Sequence, residues 1–222
     1  MLINADFSRP VAMAPHQYQW VASPQDGVER VMLDRVGAEQ ARATSIVRYA
    51  PHSSFPRHQH PGGEEILVLD GTFSEGGLDY PAGWYLRNPP GSSHQPSSGE
   101  GAIIFVKLRQ MSTPEQPYVR IDTCDPTSWR VEQGREICPL FSDASEQVSL
   151  QRLAPHGALL ADAEGGLELL VLEGDVVAQQ QTYAPRSWMR LPAGALTAIV
   201  AGEQGATVYL KVRHLANMRL KG

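Results

Sequence analysis

Four side chains in the first half of the chain carry metal-ligand chemistry: His58, His60, Glu64 and His94. The first three sit in the run RHQHPGGEEILVLDG, from Arg57 to Gly71. Residues two apart on a strand point to the same side, so the imidazoles of His58 and His60 share one interior. The Pro61-Gly62-Gly63 turn can bend the chain so that Glu64, opening the next strand, returns its carboxylate to that interior. His94 follows a second turn, Pro89-Pro90-Gly91, and supplies a fourth ligand. Three neutral imidazoles and one carboxylate suit Zn, Fe, Mn, Ni or Cu, and ligand type alone does not choose among them. Four-coordinate binding would close the site as tetrahedral zinc, whereas six-coordinate binding leaves room for water, a substrate or dioxygen.

The elements that must hold these groups are short strands between tight turns. TSIVRYA (Thr44 to Ala50), EEILVLD (Glu64 to Asp70) and AIIFVKL (Ala102 to Leu108) are rich in β-branched and apolar residues, and PGG, DG, EGG and PPG punctuate the chain. Glycine and proline, 20 and 17 of 222 residues, exceed their usual joint share of about 12%. No segment keeps a helical period for long. The expectation is an all-β fold with a barrel or jelly roll. The runs ILVL and LLVL are apolar at every position, so both faces of those strands must be covered, and a homodimer is one way to cover them.

The chain is also an internal repeat. Gly71 and Gly174 are 103 residues apart, and the same offset carries Tyr80 onto Tyr183, Arg87 onto Arg190, Pro89 onto Pro192 and Gly91 onto Gly194. An offset of 104 carries GAIIFVKLR (Gly101 to Arg109) onto GATVYLKVR (Gly205 to Arg213), and Arg48, Ala50, Pro51 and His52 onto Arg152, Ala154, Pro155 and His156. Two tandem copies follow, with a first domain over 1–112 and a second over 113–222, the break lying where strand patterning lapses between Gln110 and Trp129.

The second copy serves as a control on the first. At the offset of 103, His58, His60, Glu64 and His94 become Ala161, Ala163, Leu167 and Thr197, so the second domain is expected to be metal-free. Positions kept in both copies, such as Arg87/Arg190 and Gly71/Gly174, belong to the fold. Glu65 is kept as Glu168 while Glu64 is not, which selects Glu64 as the ligand. His52 is kept as His156 and reads as a turn residue. Asn88, Ser92 and Ser93 become Leu191, Ala195 and Leu196, and are read as groups that orient ligands or line the pocket.

Composition excludes several partners. A net charge of −5 without a run of Lys and Arg argues against nucleic acid. No apolar run approaches the roughly 18 residues that span a bilayer, and MLINADFSRP has neither a basic start nor an apolar signal core. The expectation is a cytoplasmic protein whose two cysteines, Cys124 and Cys138, are free thiols.

The spacing HxHx3Ex6G over His58, His60, Glu64 and Gly71, followed by Gx5PxGxxH over Gly83, Pro89, Gly91 and His94, resembles the two-part signature of the cupin superfamily. Ser98 stands where that signature usually closes on Asn. The resemblance covers nearly the whole chain and implies two tandem cupin barrels, each a jelly-roll double-stranded β-helix, with ligands in the first alone. The longer string HPGGEEILVLDG…YPAGWYLRNPPGSSHQP is similar to the cupin domains of ChrR-type anti-sigma factors. That resemblance implies zinc on His58, His60, Glu64 and His94, sensing of a small molecule or reactive oxygen species, and a sigma factor as partner. Full-length members of that family also carry an N-terminal HxxxCxxC signature; here His16 is followed by QYQW and both cysteines lie far downstream. Other similar cupins are non-haem iron dioxygenases that cleave diketones or hydroxyacetophenones. By that likeness His58, His60 and His94, with or without Glu64, would hold Fe(II) beside an oxygen-bearing substrate.

Overall fold

The computed structural model describes residues 1–38, 40–111, 117–132, 134–159, 164–195 and 197–216. Strands account for nearly all regular structure, and helix among the described residues is limited to two single 3-10 turns, Pro15–Gln17 and Pro126–Ser128. Among the described residues no helix is long and apolar enough to cross a membrane.

Two compact units form, one from Met1–Ala5 and Gln19–Asp125, the other from Asp6–Tyr18 and Pro126–Gly222. The expected break between 112 and 113 lies outside the described residues, and the contacts place the division later, at Asp125/Pro126. The reason is strand pairing. Val119–Asp122 runs antiparallel to Trp84–Asn88 and so completes the first unit, while Val11–Met13 pairs with Trp188–Leu191 and completes the second. Each covers a sheet edge whose backbone groups would otherwise stay open.

In the first unit the main sheet runs in the order Leu2–Ile3, Val28–Val36, Arg42–Tyr49, Ala102–Leu108, Glu64–Glu75, Trp84–Asn88, Val119–Asp122. A separate antiparallel pair, His58–His60 with Ser92–His94, carries three of the four candidate ligands. The second unit repeats the main order with Arg135–Ser142, Gln147–Leu153, Ile199–Val212, Leu167–Ala178, Trp188–Leu191 and Val11–Met13. Its interior is filled by a cluster that includes Leu153, Leu167, Leu169, Val171, Met189 and Leu210. The first unit's cluster, around Ile66, Val68, Phe73, Leu86 and Ile104, leaves Val47 and Leu108 only partly covered.

Three residues kept in both copies, Lys107, Glu65 and Arg87, belong to a buried polar row across the sheet. In the first unit Asp34 pairs with Thr44, Thr44 with Lys107, Lys107 with Glu65 and Glu65 with Arg87. All five are buried, Arg87 Nη1 lies 3.3 Å from Glu65, and Lys107 Nζ donates to Thr44 at 3.0 Å. The second unit repeats the row with Lys211, Glu168 and Arg190, and Lys211 meets Glu146 at 2.6 Å. Buried charges persist only when paired, so these identities are tied to the fold rather than to a ligand.

The matched glycines and histidines have equally local causes. Gly71 and Gly174 take φ of +65° and +64°, and a Cβ on either would sit 2.0 or 2.1 Å from the carbonyl oxygen of Gly101 or Gly205. His52 and His156 occupy left-handed turns at φ +61° and +58°, and among the described residues His52 is in neither group of converging donors.

Candidate metal centre

The pairing of His58–His60 with Ser92–His94 sets His94 opposite His58 and Ser92 opposite His60. Directly paired strand residues hold their Cβ atoms about 5 Å apart, close enough for imidazoles to converge. The three ring centroids form a near-equilateral triangle, with separations of 4.7 Å (His58 to His60), 4.9 Å (His58 to His94) and 4.7 Å (His60 to His94). The Pro61-Gly62-Gly63 turn closes with Gly63 N–H donating to the His60 carbonyl at 3.0 Å, and Glu64 then enters the long strand facing the same interior.

Nitrogen and oxygen donors meet at one point. His60 Nε2 and His94 Nε2 are 2.8 Å apart, and Glu64 Oε2 lies 3.5 Å from the first and 3.4 Å from the second. Ligands held about 2.1 Å from a common ion at tetrahedral or octahedral angles are themselves roughly 3.0 to 3.4 Å apart. Two imidazole lone pairs at 2.8 Å repel unless a cation or proton lies between them. The donor set therefore fits a divalent ion.

The outward ring nitrogens fix the tautomers. His58 Nδ1 is 2.9 Å from the Pro56 carbonyl, and His94 Nδ1 makes a short hydrogen bond to the Glu75 carboxylate. With Nδ1–H donated outward, each Nε2 keeps its lone pair for the interior. Glu75 is itself gripped. Arg120 Nη2 donates to Glu75 Oε1 and, at 2.6 Å, to Asn88 Oδ1, while Asn88 Nδ2 donates to Glu64 Oε2 at 3.1 Å and Glu75 Oε2 at 3.2 Å. Arg120 Nη1 also reaches the Arg87 carbonyl at 3.0 Å.

Charge follows these contacts. Burial lowers the His60 pKa, only partly opposed by the negative Glu64. Burial also opposes a charged His94, yet the Glu75 hydrogen bond and the charges of Glu64 and Glu75 together raise its pKa. Burial favours a neutral Glu75, but the His94 hydrogen bond and the His94 and Arg120 charges hold its carboxyl below the ordinary value.

His58, His60 and His94 thus converge, Glu64 meets His60 and His94, and Asn88 bridges Glu64 and Glu75. Ser92 is buried with its hydroxyl unpartnered, and Ser93 lies 3.4 Å from Arg57. Both serines line a small cavity of about 220 Å³ with Asn88, Glu75 and Arg120, rather than the main pocket. Ala161, Ala163 and Leu196, the second-copy counterparts of His58, His60 and Ser93, lie outside the described residues. Leu167, replacing Glu64, is buried in the second unit's core. Glu75 and Arg120 escape the sequence reading, although Glu75 becomes Ala178 at the same offset of 103 and was open to the same comparison. Arg120 sits in a segment without strand pattern and carries no such signal.

The main pocket, about 680 Å³, opens on His58, His60 and Glu64 and is walled by Val28, Val47, Tyr49, Phe55 and Ile104. Both cysteines are free thiols, Cys124 exposed and Cys138 buried.

The two tandem jelly-roll barrels are the architecture of the two-barrel cupin fold, with the three histidines and Glu64 in the first. Residues 8–112, a little under half of the chain, match the family model of the ChrR cupin-like domain, so this chain is similar to that domain over that span. Solved structures share the fold. A candidate dioxygenase from Nostoc punctiforme is 15% identical with a TM-score of 0.76, over 95% of this chain and 85% of that one. A candidate glyoxylate-induced protein from Pseudomonas aeruginosa is 19% identical with a TM-score of 0.72, over 91% and 87%. A bacterial pirin from Escherichia coli, in complex with nickel(II), is 13% identical with a TM-score of 0.65, over 91% and 98%. No curated protein matches the chain in sequence.

Proposed function

We propose that the first barrel is a zinc-type metal centre, held by His58, His60, Glu64 and His94, that binds a small molecule or reactive oxygen species and reports it in a regulatory role. The observation that carries this reading is the convergence of those donors at the floor of an open pocket, set against a second barrel whose interior is packed with apolar side chains. A bound ion would supply Lewis acidity to whatever oxygen or sulfur donor entered the pocket. The chain's own residues do the rest. Glu75 holds the His94 tautomer, Arg120 and Asn88 hold the carboxylates, and the apolar wall of Val28, Val47 and Ile104 gives the body of an entering molecule a surface to pack on. The likeness to the ChrR cupin-like domain supports a sigma factor as the regulatory partner of such a module.

A second reading, a metal-dependent dioxygenase, is favoured by one observation: the pocket reaches three of the four donors and is large enough for a small organic substrate. One experiment separates the two. Protein purified anaerobically is assayed for metal, then loaded with Zn(II) or Fe(II) and followed for oxygen uptake against β-diketones and aromatic hydroxyketones. The regulatory reading expects tightly held zinc and no turnover in either form. Substrate-dependent oxygen uptake by the Fe(II) form overturns it in favour of the oxygenase.

A further inference from the structure

The pocket above the candidate metal centre carries two arginines that metal binding does not use. Arg30 and Arg35 both lie on the Val28–Val36 strand and both line the cavity. Five residues apart, they would face opposite sides of a regular strand. A bulge between Met32 and Asp34 inserts one residue and resets the alternation, so Val28, Arg30 and Arg35 all turn to the lumen. The acids beside them are committed elsewhere: Glu29 pairs with Arg48, and the buried Asp34 with Arg42 at 3.5 Å. Arg30 Nε is buried with no hydrogen-bond partner, and Arg35, itself buried, donates to the Ala38 carbonyl. Among the described residues neither guanidinium has an ion-pair partner.

The second copy again acts as a control. Its equivalent strand, Arg135–Ser142, keeps the irregularity, between Pro139 and Phe141, so the bulge belongs to the fold. Pairing of Arg48 with Glu29 and of Arg152 with Glu136 aligns the two strands, which puts Ile137 and Ser142 at the places of Arg30 and Arg35. The barrel that lacks the histidines lacks both arginines too.

We propose that Arg30 and Arg35 form a carboxylate subsite, and that the natural ligand of this pocket is an apolar organic acid whose carboxylate meets the two guanidiniums while its body lies along Val28, Val47, Ile104 and Val106 towards the metal centre. This deepens the small-molecule reading above and rests on it. The register sets the scale. Arg35 pairs with Ala43, Ala43 with Leu108 and Leu108 with Glu64, so three interstrand steps of about 4.8 Å, roughly 14 Å along the wall, separate Arg35 from Glu64, while Arg30 lies on the row of Val47 and Ile104. Two planar guanidiniums in an apolar wall match a carboxylate better than any neutral group, because each offers charge-assisted hydrogen bonds that water supplies poorly there.

Octanoate and its neutral isostere octanamide, titrated calorimetrically into the Co(II)-loaded protein, test this. The parent should bind octanoate at least about tenfold more tightly than octanamide. Arg30→Gln and Arg35→Gln should each remove most of that preference while leaving octanamide affinity unchanged, and Arg30→Lys should restore part of it. Melting curves establish that each variant is folded, and Arg30→Ile, which installs the second copy's residue, serves if Arg30→Gln does not fold. Equal affinity for the two probes in the parent, or an octanoate preference that survives both Gln variants, overturns the proposal. The cobalt absorption of the same samples reports the metal centre separately. Protein that takes up no Co(II) yet keeps the arginine-dependent preference defeats the metal reading alone, and a normal cobalt spectrum without the preference defeats the carboxylate subsite alone.

Discussion

Removing Glu75 should weaken the metal centre although Glu75 is not among its four proposed ligands. Its carboxylate accepts the Nδ1 proton of His94 and is held in turn by Arg120 and Asn88. In Glu75→Ala the His94 ring loses the contact that fixes its tautomer and rotation, and either ring nitrogen can then carry the proton. Loss of such an outer partner typically costs 10–100-fold in metal affinity, or about 1.4 to 2.7 kcal/mol. The upper end is expected here because the partner is a buried, fully ionised carboxylate and no other acceptor is bonded to that nitrogen. Glu75→Gln keeps one oxygen acceptor and should fall near tenfold. The assay is competition for Zn(II) against a chromophoric chelator at pH 7.5, with melting of the metal-free proteins run in parallel. A folded Glu75→Ala variant that binds zinc within threefold of the parent refutes the reasoning, since the His94 tautomer would then not depend on Glu75.

Other outcomes follow from the same contacts. His60→Ala should abolish tight zinc binding, while Leu167→Glu in the second barrel should create none and only destabilise it, as equilibrium dialysis and denaturation would check. Zinc affinity should rise with pH between about 6 and 8, because ligation needs neutral imidazoles and the raised pKa of His94 makes its proton the last to be displaced; a flat profile over that range counts against His94 as a ligand. Gly71→Ala and Gly174→Ala should each cost on the order of 3 kcal/mol in denaturant melts, since each forces a Cβ onto a carbonyl oxygen at positive φ; a loss below 1 kcal/mol in either would show that the turn relaxes. Iodoacetamide at pH 8 should label native protein once, at Cys124, because burial removes Cys138 from solvent and pushes its pKa up to about 11.

Much of the site was legible because the chain carries its own control. Two copies under one fold share Gly71/Gly174, Glu65/Glu168 and Arg87/Arg190, and differ at His58, His60, Glu64 and His94. Subtracting one from the other separates the scaffold from its additions, and the structure supplies the reasons: a carbonyl too close for any Cβ, and a buried row of paired charges. The same subtraction reaches Glu75 and, once the strands are aligned through their pairing, Arg30 and Arg35. The strands Val11–Met13 and Val119–Asp122 were not legible, since short segments have no period to read and exist as strands only where a sheet edge receives them.

Residue type and spacing by themselves determined the all-β character and the duplication and singled out the candidate donors, because a period of two and a tight turn are local properties that four residues can express. Tertiary structure alone decided which groups hold those donors in place and what else faces the pocket. Arg120 comes to Glu75 from 45 residues along the chain, and a single inserted residue turns Arg35 inward to join Arg30. Neither follows from sequence distance. Both depend on where a strand edge and a bulge fall once the sheet has closed.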